Sequence, residues 1–166
     1  MSIIVYSFAN KFIYMEASNV PLGMVVVSML KSMFRVLEIR ANEQTGIKLT
    51  MGQFGLLFTI HEEKDEVILR DIAEKMGKDK SSILRMIDIL QKKDLVCRVV
   101  DETDRRKNKL LVTAKGEQLI AEFHKIELKL NAELQVGLSD DNMKTFYKVI
   151  DHLRIESDKL LSSIKE

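Results

Sequence analysis

The sequence has few of the residues from which catalytic and disulfide-stabilised sites are built. Its 166 residues include one cysteine and three histidines. Cys97 alone cannot form a disulfide within the chain, and His61, His124 and His152 are scattered along it. There is no glycine-rich phosphate loop, and no serine or cysteine lies beside a base in a known catalytic motif. These absences argue against an enzyme and predict no cofactor.

Long apolar runs are also missing. The most apolar stretch, Met24 to Leu30, ends at Lys31, well short of the roughly 20 residues that span a bilayer. A basic segment followed by a small-residue cleavage site, as in a secretory signal, is absent too. Together with the single cysteine, this predicts a protein of the reducing cytoplasm.

The positive charge is concentrated in one part of the chain. The composition, 46% hydrophobic and 31% charged, is that of an ordinary globular domain, and the net charge is only +1. Between Lys78 and Lys115, however, eleven lysines and arginines face six acidic residues, which leaves the rest of the chain at minus four. Such a local surplus is expected of a surface that binds duplex DNA.

A short amphipathic helix and a turn precede the basic region. Leu69, Ile72, Ala73 and Met76 follow the spacing of one buried stripe on a helix. Gly77 comes just past the last of them, where glycine can take a positive φ and end the helix. The pattern predicts a sharp turn followed by a second helix.

The second helix has the pattern of a DNA recognition helix. Asp79 is its predicted N-cap, and Ile83, Ile87 and Leu90, with Met86 beside them, form its buried stripe. In a helix-turn-helix, the first residues of this helix reach base edges in the major groove. An ordinary solvated face is the alternative. The predicted major-groove residues are Lys80, Ser81, Ser82 and Arg85, and Lys92 lies on the same face.

A β-hairpin is predicted next. Leu95 to Val100 and Lys109 to Thr113 are strand-like, and Asp101 to Asp104 form a polar turn between them. Residues 68–113 therefore predict a winged helix-turn-helix, in a chain that is mainly α with a small β-hairpin wing. At the tip, Arg105 and Arg106 are predicted to bind in a narrow minor groove. Lys107 is predicted to contact a DNA phosphate.

The hairpin carries a family signature. An arginine is followed by Asp-x-x-Asp-Arg-Arg, then by an apolar strand that ends in Thr-x-x-Gly, and this run resembles the wing of the MarR family of bacterial transcriptional regulators. The resemblance covers residues 20–164. It implies a homodimeric repressor that releases DNA when a small, often aromatic or phenolic, molecule enters a crevice between the dimer helices and the DNA-binding lobe. The matching residues are Arg98, Asp101, Asp104, Arg105, Arg106, Thr113 and Gly116.

Helices are predicted on both sides of this lobe. One runs from Pro21 to about Asn42 and is closed by Gly46, and Thr50 caps the next, before a charged loop at 61–66. The second of these helices contains Gly52 and Gly55, which suggests either close packing of another backbone or, less favoured, a gap facing a ligand. After the wing, long helices are predicted from Ala114 to about Val136 and from Ser139 onward. Residues 3–16 are apolar, and their pattern fits either a helix or a strand.

The long helices have more apolar face than the small lobe can cover. We therefore expect a homodimer, with dimerisation regions at 1–48 and 114–166 around a DNA-binding lobe at 49–113, and a pseudo-palindromic site. A winged helix that serves as a protein-interaction scaffold without specific DNA binding is the alternative. It would leave the adjacent arginines and the basic surplus unexplained.

Three further residues have predicted roles that do not involve DNA bases. Asp104 can hold a wing arginine in position through a charge-assisted hydrogen bond. Cys97 is interpreted as a small core residue of the first wing strand rather than an oxidant sensor. His124 lies three residues before Glu127 on one helix face, but no third ligand is evident, so no metal site is predicted.

Overall fold

The computed structural model describes residues 21–63, 69–100 and 108–164. This part of the chain is mainly helical, with one two-stranded sheet, which confirms the predicted fold class. The apolar segment 3–16 and the tip of the hairpin lie outside the described residues. In chain order the elements are α1 (Leu22–Thr45), α2 (Met51–Glu62), α3 (Leu69–Lys75), α4 (Lys80–Lys92), β1 (Val96–Val100), β2 (Asn108–Val112), α5 (Ala114–Leu134) and α6 (Asp140–Ile164).

The predicted helix ends are confirmed at several places by their hydrogen bonds. Thr50 and Gln53 form a capping box, in which each side chain accepts from the other's backbone N–H. Ser139 and Asn142 make the same reciprocal bonds at the start of α6. Gly46 ends α1 at a φ of 69°. The loop predicted at 61–66 is wrong at its beginning, because α2 continues to Glu62.

Side chains of α1 hold the start of α2 in place. The amide of Asn42 donates to the carbonyl of Leu49 at 3.0 Å and accepts from its N–H at 2.8 Å. One turn earlier, Glu38 Oε2 accepts from the N–H of Met51 at 2.8 Å. These bonds satisfy backbone groups that the helix ends leave without partners, and they fix the angle between α1 and α2.

The core of the first compact unit, which ends at Leu128, lies among α2, α4, α5 and the base of the hairpin. Its members include Ile72, Ile83, Ile87 and Leu90 from the two apolar stripes predicted for the helix-turn-helix. Phe54 packs against Phe123 with ring centroids 4.6 Å apart. The most deeply buried large side chains are Phe54, Leu56, Leu57, Ile83, Ile87, Leu90 and Leu95.

The two faces of the wing differ in burial. The strands pair antiparallel, with Val96 opposite Val112 and Arg98 opposite Leu110. Val96 and Leu110 are buried, whereas Val99 and Leu111 on the other face are exposed. Cys97 lies on that outer face and is partly exposed. Its interpretation as a core residue is therefore wrong, because the alternation of the strand places Val96 inside and Cys97 outside.

A second compact unit begins at Lys129 and contains the end of α5 and all of α6. No residue of α6 is buried. Its apolar side chains include Tyr147, which is 57% exposed, and Leu160, which is 66% exposed. Phe146 and Tyr147 contact each other edge to face at 5.7 Å. Across the described ranges, no helix is both long enough and apolar enough to cross a membrane.

Candidate DNA-binding surface

The turn between α3 and α4 is built from backbone hydrogen bonds around a glycine. Gly77 has a φ of 58°, and its N–H donates to the carbonyl of Glu74 at 3.0 Å. The N–H of Lys78 donates to Ala73 at 2.9 Å. This is a Schellman end, which satisfies the last carbonyls of α3 and reverses the chain within three residues. The predicted helix, glycine turn and second helix are confirmed.

Asp79 caps α4, as predicted. Its Oδ1 accepts from the N–H of Ser82 at 2.8 Å, and its Oδ2 accepts from the Ser82 hydroxyl at 2.6 Å. These hydrogen bonds, the hydroxyl one first, favour the carboxylate and lower the pKa of Asp79 below its ordinary value of 3.8. The Ser82 hydroxyl proton is thereby engaged in the cap. Of the predicted hydroxyl pair, Ser81 is the more exposed residue.

The remaining face of α4 is polar and solvent-accessible. Ile83, Ile87 and Leu90 are fully buried, so the helix can rotate little about its own axis. With the helix fixed in this way, the predicted major-groove residues lie on the opposite side. Lys80, Ser81, Arg85 and Lys92 are all exposed, whereas Ser82 is half-buried.

An ion pair joins the first strand of the wing to α4. Arg98 Nη2 on β1 lies 3.6 Å from Asp88 Oδ1 on α4, with 44% and 59% of the two side chains exposed. Such an exposed pair contributes little stability, but it links the wing strand to the recognition helix. Sequence reasoning placed Arg98 in the family signature and did not find Asp88. The partner residue could not be identified because its position, ten residues earlier on another element, carries no local signal.

The segment that enters the wing contains a second Schellman end. Asp94 has a φ of 60°, and the N–H of Leu95 donates to the carbonyl of Leu90 at 3.0 Å. The Thr113 hydroxyl donates to the carbonyl of Asp94 at 2.7 Å and accepts from the N–H of Gly116 at 3.1 Å. Thr113 and Gly116, two residues of the family signature, therefore join the base of the wing to the first turn of α5.

The predicted tip of the wing lies outside the described residues. Asp104, Arg105, Arg106 and Lys107 all belong to the segment 101–107. Their assignments to the minor groove, to phosphate and to arginine support stay predictions. The strands on both sides, β1 and β2, are described and hold the two ends of this segment together.

An open cavity lies between α1, α2 and α5 in the first unit. Its volume is about 500 Å³, and four of its lining residues are phenylalanines. Gly52 and Gly55 also line it, and a Cβ added at either glycine would meet nothing closer than 3.8 Å. Among the described residues, the atoms nearest to such a Cβ belong to side chains, Met86 at Gly52 and Met76 at Gly55, so close packing of another backbone does not explain these glycines. The lining residues are Phe34, Met51, Gly52, Phe54, Gly55, Phe58, Phe123 and Glu127.

Comparison with known proteins agrees with this architecture. The MarR family model matches residues 49–107, which begin two residues before α2 and end at the residue before β2. A crystal structure of MarR is 25% identical, covers 90% of this chain and 99% of its own, and superposes with a TM-score of 0.71. Residues 49–107 are therefore similar to the MarR family, and the chain shares the fold of MarR. Members of the family are transcription regulators and not enzymes.

Two further structures share the fold of this chain. CouR from Rhodococcus jostii, bound to p-coumaroyl-CoA, is 22% identical over 84% of this chain and 94% of its own, with a TM-score of 0.64. A mutant MepR from S. aureus, bound to an oligodeoxyribonucleotide, is 21% identical over 88% of this chain and 99% of its own, with a TM-score of 0.56. Among these fold relatives, one therefore holds a small ligand and another holds DNA.

Proposed function

We propose that this transcriptional regulator is a homodimeric repressor that binds a pseudo-palindromic DNA site and releases it when a small molecule binds. The observation that carries the proposal is the exposed polar face of α4, which presents Lys80, Ser81 and Arg85 while the opposite face is locked in the core. A helix fixed in this way presents its exposed side chains from a defined position, and such side chains can discriminate base edges.

The apolar faces of the long helices support the homodimer. On α1, Leu22 is 55% exposed and Phe34 is 46% exposed, and only Leu37 and Ala41 are buried. A monomer seldom leaves so much apolar helix surface in water, whereas a two-fold dimer would cover it. Two copies of α4 would then bind half-sites about one helical turn of DNA apart, roughly 34 Å.

The position of the cavity suggests how ligand binding could affect DNA binding. α2 lines the cavity at Gly52 and Gly55, and at the same glycines it lies against Met86 of α4 and against Met76. A ligand that moves α2 would therefore move residues packed on the recognition helix. For release, it must bind the DNA-incompetent arrangement more tightly than the competent one.

Binding to DNA tests the proposal. The purified protein is titrated with genomic fragments, including the DNA upstream of its own gene, and with random duplex over a salt series. We expect a preferred site and a steep salt dependence. Arg85→Lys is the matched variant, since it keeps the charge and loses the two-pronged hydrogen bonding of arginine.

Equal, weak binding to every fragment would overturn the DNA-specific function and favour the protein-interaction scaffold. The oligomeric state is measured on the same preparation by light scattering. If the protein is a monomer at micromolar concentration, the proposed homodimer is contradicted.

A further inference from the structure

The walls of the cavity are unusually rich in aromatic rings. Phe54 and Phe58 both contact Phe123, with ring centroids 4.6 and 5.2 Å away. Phe34 adds a fourth ring from α1. A space of about 500 Å³ is within the range that small-molecule ligands occupy. Phe34, which is 46% exposed, and the half-buried Phe58 can contact a ligand there, whereas Phe54 and Phe123 are buried behind the cavity wall.

A single charged side chain lines this cavity. Glu127 contributes a carboxylate from α5, and no lysine or arginine is among the lining residues that the structure describes. The Nδ1 of His124, one turn earlier on the same helix, lies 3.5 Å from Glu127 Oε2, and 64% of the histidine side chain is exposed. Glu127 itself is 44% exposed.

A carboxylate beside aromatic faces is a binding site for positive charge. The π face of a phenylalanine carries negative potential and attracts cations, including quaternary ones that cannot form hydrogen bonds. Glu127 adds attraction for a cation and repulsion for an anion. We propose that the effector of this regulator is a lipophilic organic cation, whose apolar groups pack among the phenylalanines and whose charge lies near Glu127. The inference rests on the proposed ligand-responsive function and specifies the chemistry of its ligand.

The test uses two probes of the same shape and opposite charge, tetraphenylphosphonium and tetraphenylborate. Each is titrated calorimetrically into the full-length protein without DNA. We expect Glu127→Gln to weaken tetraphenylphosphonium binding about five-fold, the size of a half-exposed charge interaction. Tetraphenylborate binding should stay equal or become tighter. Glu122→Gln, on the same helix but outside the cavity lining, is the matched control and should change neither affinity by more than about two-fold.

A second variant tests the aromatic contribution. Phe58→Leu keeps an apolar side chain at a half-buried position, so folding should be retained, but it removes a ring face. We expect about a three-fold loss of tetraphenylphosphonium affinity from the lost cation–π contact. Circular dichroism of both variants confirms that they are folded.

Three results would overturn the inference. The first is that tetraphenylphosphonium does not bind up to millimolar concentration. The second is that Glu127→Gln leaves the tetraphenylphosphonium affinity unchanged, and the third is that this variant changes the affinities for both probes equally. Because the titrations contain no DNA, they are separate from the test of the proposed function. If the protein prefers a DNA site but does not bind tetraphenylphosphonium, the proposed function stands and this inference is overturned. If it binds tetraphenylphosphonium but prefers no DNA site, the proposed regulatory function is overturned.

Discussion

Gly116 is the position at which this fold should tolerate least change. It lies in the first turn of α5 and is buried. A Cβ built there would be 2.3 Å from the carbonyl oxygen of Leu95 and 2.5 Å from a methyl group of Val112. The same Leu95 oxygen accepts a hydrogen bond from the N–H of Thr113 at 3.0 Å. The obstacle is therefore backbone held in a hydrogen bond, which cannot move aside as a flexible side chain can.

The expected cost of Gly116→Ala follows from two opposing terms. Forcing an extra carbon into a packed site costs about 1–3 kcal/mol. Alanine stabilises a helix interior by up to about 1 kcal/mol relative to glycine. Because the closest atom is backbone, we expect the steric cost to be in the upper part of its range. The net loss in the free energy of unfolding should then be about 1–2 kcal/mol.

Urea unfolding followed by far-ultraviolet circular dichroism measures this change. The protein concentration is kept fixed, because the stability of the proposed dimer would depend on it. Gly23→Ala on α1 is the matched control, since nothing lies within 4 Å of its added Cβ. That variant should gain about 0.5–1 kcal/mol. If Gly116→Ala were as stable as the unsubstituted protein, the packing of α5 on the base of the wing would have to be wrong.

Three other outcomes are expected, of which the one for Lys107 rests on the sequence alone. Arg85→Ala should cost about 1–3 kcal/mol on the preferred DNA site and relax its specificity, whereas Lys107→Ala should weaken binding to all duplexes and lower the salt slope by about one. Equal losses on preferred and random DNA for both variants would contradict those roles. Asp79 has a lowered pKa, so its stabilising contribution is present above pH 3.8 and lost as the pH falls through the lower folded value. In acid, the urea midpoint of the unsubstituted protein should therefore fall relative to that of Asp79→Asn, because asparagine caps a helix without titrating. Parallel pH profiles of the two midpoints would refute this. Asp94 has a positive φ, so Asp94→Val should be less stable than Asp94→Gly by about 1–3 kcal/mol in urea unfolding, and equal stabilities would argue against that backbone conformation.

Local signals predicted the helix-turn-helix well. The glycine at position 77 and the cap at Asp79 act through their own neighbours in sequence, so their effects can be read without knowing the fold. The buried stripe of Ile83, Ile87 and Leu90 follows from helical periodicity alone. Cys97 shows the limit of this reasoning. In a short apolar run, periodicity does not say which of two strand faces turns inward, and the packing of Val96 decided it.

The sequence by itself determined the order of the elements, their caps and the family signature, because those depend on interactions within a few residues. Only the tertiary structure decided which side chains from distant elements meet. Asp88 meets Arg98, and Phe34, Phe58, Phe123 and Glu127 surround one cavity although they come from three separate helices. No spacing along the chain encodes such a cluster, since it depends on the angles at which α1, α2 and α5 pack. The chemistry proposed for the effector therefore became visible only in the folded protein.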